Sequence, residues 1–147
     1  MTDSSRAHDE VEARLRRVGQ RYTSGRQALV VFLLTAGRPV DMSEITSASA
    51  GLPTSSVYRN LVVLEQVGAV TRLQGPGALA RYELSEELVG HHHHLVCSRC
   101  GRMEDYEPPP EVEGALLDAT RTSAAASNGF AVTGHRLELR GLCDQCG

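Results

Sequence analysis

The chain lacks tryptophan, and two phenylalanines and four tyrosines make up its aromatic content among 147 residues. Any core must therefore be modest and built mostly from Leu, Val and Ala. No apolar run approaches the ~20 residues of a membrane span, and the longest is Ala28 to Leu34. The N-terminus is polar and shows no apolar signal segment, so we expect a cytoplasmic protein without a membrane partner. The length allows one ordinary domain or two small ones.

Lysine is also absent, and all 15 basic residues are arginine. The net charge of −3 argues weakly against a nucleic-acid-binding protein, but the charge is unevenly distributed. Residues 1–85 carry ten arginines and eight acids, whereas residues 86–147 carry five arginines and ten acids. This division predicts that the first part binds a polyanion and the second part binds cations.

Cysteine is scarce but concentrated in two CxxC motifs, Cys97 with Cys100 and Cys143 with Cys146. The two-residue spacer lets both thiolates of a pair reach one ion from a single turn, so we predict a structural, tetrahedral Zn²⁺ site. Two disulfides, or one CxxC motif acting as a redox pair, are the alternatives. A thioredoxin-like motif opens a helix after a strand, and neither motif does so. A cytoplasmic location also favours metal over disulfides.

Four consecutive histidines, His91 to His94, precede the first CxxC motif. The residues that follow indicate a strand, in which side chains alternate between two faces. His91 and His93 should then point one way and His92 and His94 the other, so the run can contribute to two metal sites. A purification tag is the alternative, but tags are usually longer and terminal, whereas this run is internal and continues into an apolar strand.

Apolar spacing and helix-end signals predict four helices and a hairpin in the first part of the chain. The predicted helices span residues 9–18, 26–36, a short segment ending at 48, and 54–68, and the predicted strands span 69–74 and 79–84. Thr23 or Ser24 is expected to cap the second helix, and Asp41 or Ser43 the third. This order is that of a winged helix-turn-helix, in which the last helix enters the major groove of DNA.

The outward face of the fourth helix offers DNA-binding candidates. Ser55 and Ser56 can bond phosphate at its N-terminus, Arg59 can pair with guanine or phosphate, and Tyr58 can contact a thymine methyl or phosphate. Upstream arginines could reach the DNA backbone beside it, and they are Arg14, Arg16, Arg17, Arg21 and Arg26. The alternative is an ordinary solvated helix face.

Residues 85–90 are predicted to form a linker or hinge. Beyond it we expect a strand into Cys97, a strand near residues 102–106, a helix over residues 111–127, and a strand over residues 130–140. This α/β module is too small for a robust core, so we expect the zinc site and pairing with a second copy to stabilise it.

Together these residues resemble the ferric uptake regulator family of metal-dependent bacterial repressors. The motifs that carry the resemblance are Val57-Tyr58-Arg59-Asn60-Leu61, Arg81-Tyr82-Glu83-Leu84, His91 to Cys97, Cys100-Gly101, and Gly141-Leu142-Cys143 with Cys146. They cover the chain from Arg16 onward. The resemblance implies a dimer of α+β fold class: an N-terminal winged helix-turn-helix domain (1–84), a hinge (85–90) and a small C-terminal α/β dimerisation domain with structural zinc (91–147).

The resemblance also implies roles for individual residues. The implied ligands are Cys97, Cys100, Cys143 and Cys146 for structural zinc, Glu83, His92, His94 and Asp105 for a regulatory site between the domains, and His91, His93, His135 and Glu113 for a further site. Glu111 is the rival of Glu113, because the proline run makes the alignment uncertain by a residue or two. Tyr58 and Arg59 match the DNA-contacting pair.

The chain departs from the family pattern near the regulatory site. Iron-type members usually have a His before the third helix, where this chain has residues 37–40 without one. Zinc-sensing members of the actinobacterial kind have a Cys and an acid near the positions of Ser85 and Thr71. The regulatory site can therefore lack one ligand, which water, Asp105 or another residue would supply. Two histidines with carboxylates suit Fe²⁺, Mn²⁺ or Zn²⁺.

The sequence thus predicts a metal-responsive transcriptional repressor that binds double-stranded operator DNA as a homodimer and has no small-molecule substrate. Within the family, a zinc-uptake regulator and a peroxide sensor are the alternatives. A zinc-dependent hydrolase using the histidines and Glu113 is a distant one, since the chain lacks an HExxH motif and catalytic zinc needs an open coordination position. A metal chaperone or storage protein would leave the winged helix without a role. We therefore expect no enzyme activity.

Overall fold

The computed structural model describes residues 4–49 and 51–147; residues 1–3, where the predicted winged-helix domain begins, lie outside the described residues, as does residue 50. The helices are α1 (Ser4–Arg17), α2 (Ser24–Ala36), α3 (Met42–Ala48), α4 (Thr54–Gln66), α5 (Glu86–Val89) and α6 (Pro110–Asn128). The strands are β1 (Val40–Asp41), β2 (Val70–Gln74), β3 (Ala80–Leu84), β4 (His93–Cys97), β5 (Met103–Tyr106) and β6 (Glu138–Gly141).

Local signals fix the ends of the first helices. The Thr23 side chain accepts a hydrogen bond from the backbone N–H of Arg26 and caps α2, which ends at Gly37 in the left-handed conformation. Asp41 and Glu44 form a capping box at the start of α3, each side chain accepting from the other residue's backbone N–H. Of the cap candidates in the sequence, the structure therefore selects Thr23 and Asp41.

The N-terminal domain is a winged helix-turn-helix with its own hydrophobic core. Apolar side chains of α1, α2 and α4 pack against those of β2 and β3, with Leu15, Leu29 and Leu64 fully buried. Strands β2 and β3 pair antiparallel as the wing, with Val70 opposite Leu84. Strand β1 adds to the free edge of β3. The sequence did not predict β1, because a strand of two residues is too short to show an alternation of apolar and polar side chains.

The C-terminal domain consists of a three-stranded sheet in the order β5-β4-β6 and the helix α6. Its buried hydrophobic residues are few: Val96, Cys97 and Met103. The helix α6 buries none of its residues. The α+β fold class with two domains is as predicted. Within the described part of the chain, no helix combines the length and apolar character needed to cross a bilayer.

The helix predicted from residue 9 is longer in the structure, where α1 begins at Ser4, and two further predicted segments differ from the structure. The strand predicted for residues 130–140 is wrong for most of its length, because only Glu138–Gly141 is a strand. This strand, β6, pairs in parallel with β4, and the first pair is His94 opposite Glu138. Because β4 begins at His93, residues 130–136 have no residue of β4 opposite them. The predicted hinge contains the one-turn helix α5, tied to α1 by an ion pair between Arg14 Nη2 and Glu87 Oε2 at 2.7 Å.

Candidate metal centres and DNA-facing helix

The four cysteines meet at one end of the C-terminal sheet. The parallel pairing of β4 with β6 places Cys97 opposite Gly141, which brings the second CxxC motif beside the first. All four thiols are free, and their Sγ atoms lie within 4.8 Å of one another. We call them the cysteine cluster. Four converging sulfurs in two CxxC turns form the donor set of a structural tetrahedral zinc site.

Neighbouring groups shift the pKa values of the cysteine thiols and hold the two CxxC motifs together. Backbone N–H groups of Cys100 and Cys143 lower the pKa of Cys97 to about 6, whereas a hydrogen bond with Cys143 raises the pKa of Cys146 to about 12. One thiol is thus ready to bind a cation as a thiolate, and another must give up a proton. Arg99 Nη1 donates to the Cys146 carbonyl oxygen at 2.6 Å, which holds the second motif against the first.

A second group, the interdomain cluster, joins the two domains. Strand β3 of the wing supplies Glu83, the histidine run supplies His92 and His94, and β5 supplies Asp105. Glu83 Oε2 lies 3.2 Å from His92 Nε2 and 2.9 Å from His94 Nε2. Asp105 Oδ1 lies 3.9 Å from His92 Nε2 and 4.0 Å from His94 Nε2. Among the candidates for the missing ligand, Asp105 thus completes a four-donor set.

Hydrogen bonding sets the protonation of this cluster. The hydrogen bond to Glu83 raises the pKa of His92 to about 9 despite its burial. Burial raises the pKa of Glu83, but the hydrogen bonds from His92 and His94 outweigh it and leave the pKa below its usual value. Burial raises the pKa of Asp105. Near neutral pH, His92 therefore carries a proton that it shares with an ionised Glu83.

Cation binding to the interdomain cluster is expected to strengthen with pH. Because the pKa of His92 is about 9, a cation that uses Nε2 must displace a proton at any lower pH. The apparent affinity should rise by about tenfold per pH unit for one displaced proton and level off above about pH 9. Chelator competition at several pH values in a Glu113→Gln background, which weakens the other histidine group, measures this. An affinity independent of pH would contradict it.

A third group, the C-terminal cluster, uses the other two histidines of the run. Glu113 near the start of α6 lies 2.8 Å from His93, 3.3 Å from His91 and 2.8 Å from His135, each measured between Nε2 and a carboxylate oxygen. Its rival Glu111 is exposed and outside the group. His135 Nε2 is buried and has no hydrogen bond within the described residues, despite the nearby carboxylate. A cation bound by both His135 Nε2 and the Glu113 carboxylate would give this nitrogen a partner.

The two histidine groups confirm the predicted alternation of the run: His91 and His93 lie in one, His92 and His94 in the other. The rings within each pair stack edge to face, with centroids 4.7 Å apart for the first pair and 5.0 Å for the second. A cavity of about 460 Å³ opens beside the interdomain cluster, lined in part by Glu83, His92 and Asp105. Small molecules can therefore approach this cluster from solvent.

Helix α4 presents most of the predicted DNA-binding side chains outward. Ser55, Tyr58 and Arg59 are exposed and Ser56 is half-buried, with Arg59 Nη2 donating to Ser56 Oγ at 3.5 Å. Val57, Leu61 and Leu64 bury the opposite face. Arg21, the other predicted DNA-binding residue, is exposed just before α2.

Two arginines proposed to reach the DNA backbone do not fit that role. Arg26 is buried and donates to Asn60 Oδ1, Gln20 Oε1 and the Arg21 carbonyl oxygen. Arg14 donates to Glu10, to the Gly68 carbonyl oxygen and to Glu87. Their guanidinium groups are committed inside the protein. Sequence reasoning also missed Arg81, although its spacing of two from Glu83 on one strand places both side chains on the same face.

The fold and these groups define a class of protein: a winged-helix regulator whose two domains meet at a set of metal-type donors. The sequence model of the ferric uptake regulator family matches residues 17–140. The chain belongs to this family, and it is a metal-responsive transcriptional regulator.

Individual relatives agree with this assignment. The peroxide-responsive repressor PerR of Staphylococcus saprophyticus is 31% identical over 136 residues, covering 90% of this chain and 86% of that protein. A solved zinc-bound manganese uptake regulator is 28% identical with a TM-score of 0.68, covering 90% of this chain and 98% of that one. The Helicobacter pylori ferric uptake regulator Fur, described as having three functional metal-binding sites, has a TM-score of 0.77. The match covers 98% of this chain and 93% of that one at 22% identity, and it shows the shared fold.

Proposed function

We propose that this protein represses metal-homeostasis genes by binding operator DNA when a divalent cation occupies the interdomain cluster. The observation that carries the proposal is the position of Glu83. It lies on the wing, within hydrogen-bonding distance of His92 and His94 of the C-terminal domain. Glu83, His92 and His94 therefore connect the DNA-binding domain to the C-terminal domain. The same three side chains would bind the cation, so cation binding can change the orientation of the DNA-binding domain.

The donor chemistry assigns cations to the three groups. The cysteine cluster suits structural Zn²⁺. The interdomain cluster, with two histidines and two carboxylates, suits Zn²⁺, Fe²⁺ or Mn²⁺. We propose that the members of each cluster, as defined above, are the ligands of its cation. In the C-terminal cluster the carboxylate ligand is then Glu113 rather than Glu111. A cation in the interdomain cluster would supply one positive centre shared by ligands from both domains.

The chain's own residues supply the coupling. Glu83 is fixed by the wing, whereas His94 is fixed by β4 and Asp105 by β5. Without a shared cation, the hydrogen bonds from His92 and His94 to Glu83 are the direct connection between these groups. Strengthening that connection favours one domain orientation over others, and a difference of about 1–3 kcal/mol suffices to switch DNA affinity 5–150-fold. We retain the domain limits of 1–84, 85–90 and 91–147 as part of this proposal, with α5 inside the proposed hinge.

We assign a second copy of the chain as partner in a dimer. In one copy, α6 buries none of its residues, and Val112 and Phe130 are 52% and 67% exposed. Leu95, Leu139 and Leu142 line an open groove of about 330 Å³ on the sheet. We take these exposed apolar side chains as part of the dimer interface. A dimer would present two α4 helices at a fixed spacing for two DNA half-sites. We place this regulator in the cytoplasm and assign it no enzyme activity.

The test uses protein whose cysteine cluster has been loaded with Zn²⁺. Duplexes are selected from a random library with buffered Zn²⁺, Mn²⁺ or anaerobic Fe²⁺, and their affinity is measured against free metal. Activation by one of these metals supports the proposal and identifies the cation. No selected sequence and no activation with any of them would refute it.

A peroxide sensor is the second candidate. The relatives named peroxide-responsive repressor PerR and the cavity beside the interdomain cluster favour it. In the Fe²⁺ arm of the selection, dilute hydrogen peroxide should then release the DNA irreversibly, whereas the Mn²⁺ complex should resist it. Release that is absent in both arms excludes the peroxide sensor and leaves the metal-dependent repressor intact.

Replacement of Arg59 tests the DNA-facing helix. Arg59→Ala should weaken binding to the selected duplex about 5–150-fold, the range for loss of a base-contacting arginine. If Arg59 instead contacts phosphate, binding to all duplexes should weaken evenly and the salt dependence should fall by about one unit. Arg121→Ala, which removes the same charge from exposed α6, is the matched control. Equal effects of both variants would argue against α4 as the reading helix.

A further inference from the structure

Arg81 makes a second connection between the domains, separate from the interdomain cluster. It lies on β3 and is only 8% exposed. Its Nη2 donates to the backbone carbonyl oxygen of Gly101 at 2.9 Å, and Nη1 lies 3.2 Å from Asp41 Oδ2 and 3.6 Å from Glu44 Oε2. One guanidinium group therefore joins the capping box of α3 to the turn that follows Cys100.

The surrounding backbone fits closely around this side chain. A Cβ added at Gly101 would lie 3.4 Å from Arg81 Nη2, and Gly101 has a φ of +76°, which disfavours other residues. A Cβ at Gly75 would lie 3.4 Å from Arg81 Nε. Nε has no hydrogen bond among the described residues, so the group bonds in two directions only: into the winged-helix domain and into the cysteine turn.

Burying a charge in this way is not an efficient source of stability. A buried ion pair often contributes no more than apolar residues of the same volume would, because desolvation offsets the attraction. Its geometric effect is larger, since a planar guanidinium bonds in fixed directions. Arg81 and Glu83 are two residues apart on β3, so their side chains leave the same face of the strand about 7 Å apart. Glu83 meets the histidines, and Arg81 meets the cysteine turn.

We infer that Arg81 is a positioning residue for the interdomain cluster. A single attachment through Glu83 would leave the domains free to rotate about it, whereas two attachments on one strand face restrict that rotation. Arg81 thereby holds Glu83 near His92 and His94 before a cation binds. Because Gly101 directly follows Cys100, the same contact makes this alignment depend on an ordered cysteine cluster. This inference rests on the proposed function of the interdomain cluster.

Loss of this contact should weaken cation binding rather than DNA contacts. A hydrogen bond from a charged group is commonly worth a factor of roughly 10–100 in an equilibrium. Arg81→Met should therefore raise the free metal needed for half-activation by about 10–100-fold. When the cation saturates the interdomain cluster, the affinity for DNA should return to the wild-type value. Arg81 is buried on β3 and is not part of the DNA-facing helix α4.

The experiment measures two quantities on Zn²⁺-loaded full-length protein. Chelator competition without DNA gives the affinity of the interdomain cluster for the activating metal, and titration with the selected duplex at saturating metal gives the DNA affinity. Asp41→Asn is the matched control, because Asn caps helices as well as Asp and leaves the bond from Arg81 to Gly101 in place. It should bind metal like the wild type.

The outcomes are distinct. A metal affinity unchanged by Arg81→Met, a DNA defect that saturating metal does not correct, or an equal loss in Asp41→Asn would each overturn the inference. Should Arg81→Met fail to fold, Arg81→Lys keeps the charge beside Asp41 without the planar fork, and a smaller shift in metal affinity of the same sign is required. Wild-type protein that no metal activates would instead refute the proposed function itself.

Discussion

Joint replacement of His92 and His94 by alanine is expected to abolish metal-dependent DNA binding while the protein remains a dimer. The double variant leaves Glu83 and Asp105 without the nitrogen donors that connect them to β4. Its DNA affinity with metal should fall by about 5–150-fold, to the level without metal, which is the usual size of the coupling between two sites. Fluorescence anisotropy with the selected duplex at controlled free metal measures the effect, and sedimentation measures the dimer.

His91→Ala is the matched comparison for this variant. It removes a histidine from the same run but from the C-terminal cluster, and His91 is the most exposed member of its group. We expect this variant to retain a metal-dependent change in DNA affinity. If the double variant also retains its full metal response, the interdomain cluster is not the regulatory site. If both variants lose the response equally, the two histidine groups do not have separate roles.

Replacement of Cys143 by serine should unfold the C-terminal domain and leave the winged-helix domain folded. The sheet buries few apolar side chains, with Val96, Cys97 and Met103 at its centre. Structural zinc contributes about 10–16 kcal/mol to folding in small zinc-binding peptides, which exceeds what such a core supplies. Parallel pairing of β4 with β6 also depends on the cysteine cluster, because it joins the ends of the two strands. The dimer should be lost with this domain.

Amide hydrogen exchange distinguishes the domains in this variant. Protection should disappear from β4, β5 and β6 and persist in α2 and α4, whose core is independent of the cysteines. Zinc content should fall in parallel. Ser98→Ala, an exposed change inside the first CxxC motif, should alter neither quantity. Retention of zinc and of β6 protection in Cys143→Ser would show that this domain folds without a complete cysteine cluster.

The sequence predicted elements whose signals are local. Helices of the winged domain are bounded by Thr23, Asp41 and positive-φ glycines, so their positions follow from residue chemistry. The alternating histidines predicted two groups because successive side chains of an extended chain point to opposite faces. Strand β1 and the extent of β6 depend instead on which strands lie beside them. Arg26 resembled a DNA-binding residue in sequence, since only the fold reveals the acceptors around it.

The choice between Glu111 and Glu113 shows what the sequence could not determine. Both acids lie in the first turn of α6, which begins at Pro110. At about 100° per residue, positions two apart point to nearly opposite sides of a helix. Only the start and direction of the helix decide which one faces the histidines. Sequence separation alone left both possible, and the structure places Glu113 there.

The pairing of β4 with the late strand β6 also has a consequence for biosynthesis. A ribosome completes the winged-helix core by Leu84, but Cys146, the last thiol of the cysteine cluster, is added near the end of the chain. At about 5–20 residues per second, roughly 3–12 s separate these two points of translation. During that interval the nascent chain can fold a DNA-binding domain while the cysteine cluster is still incomplete.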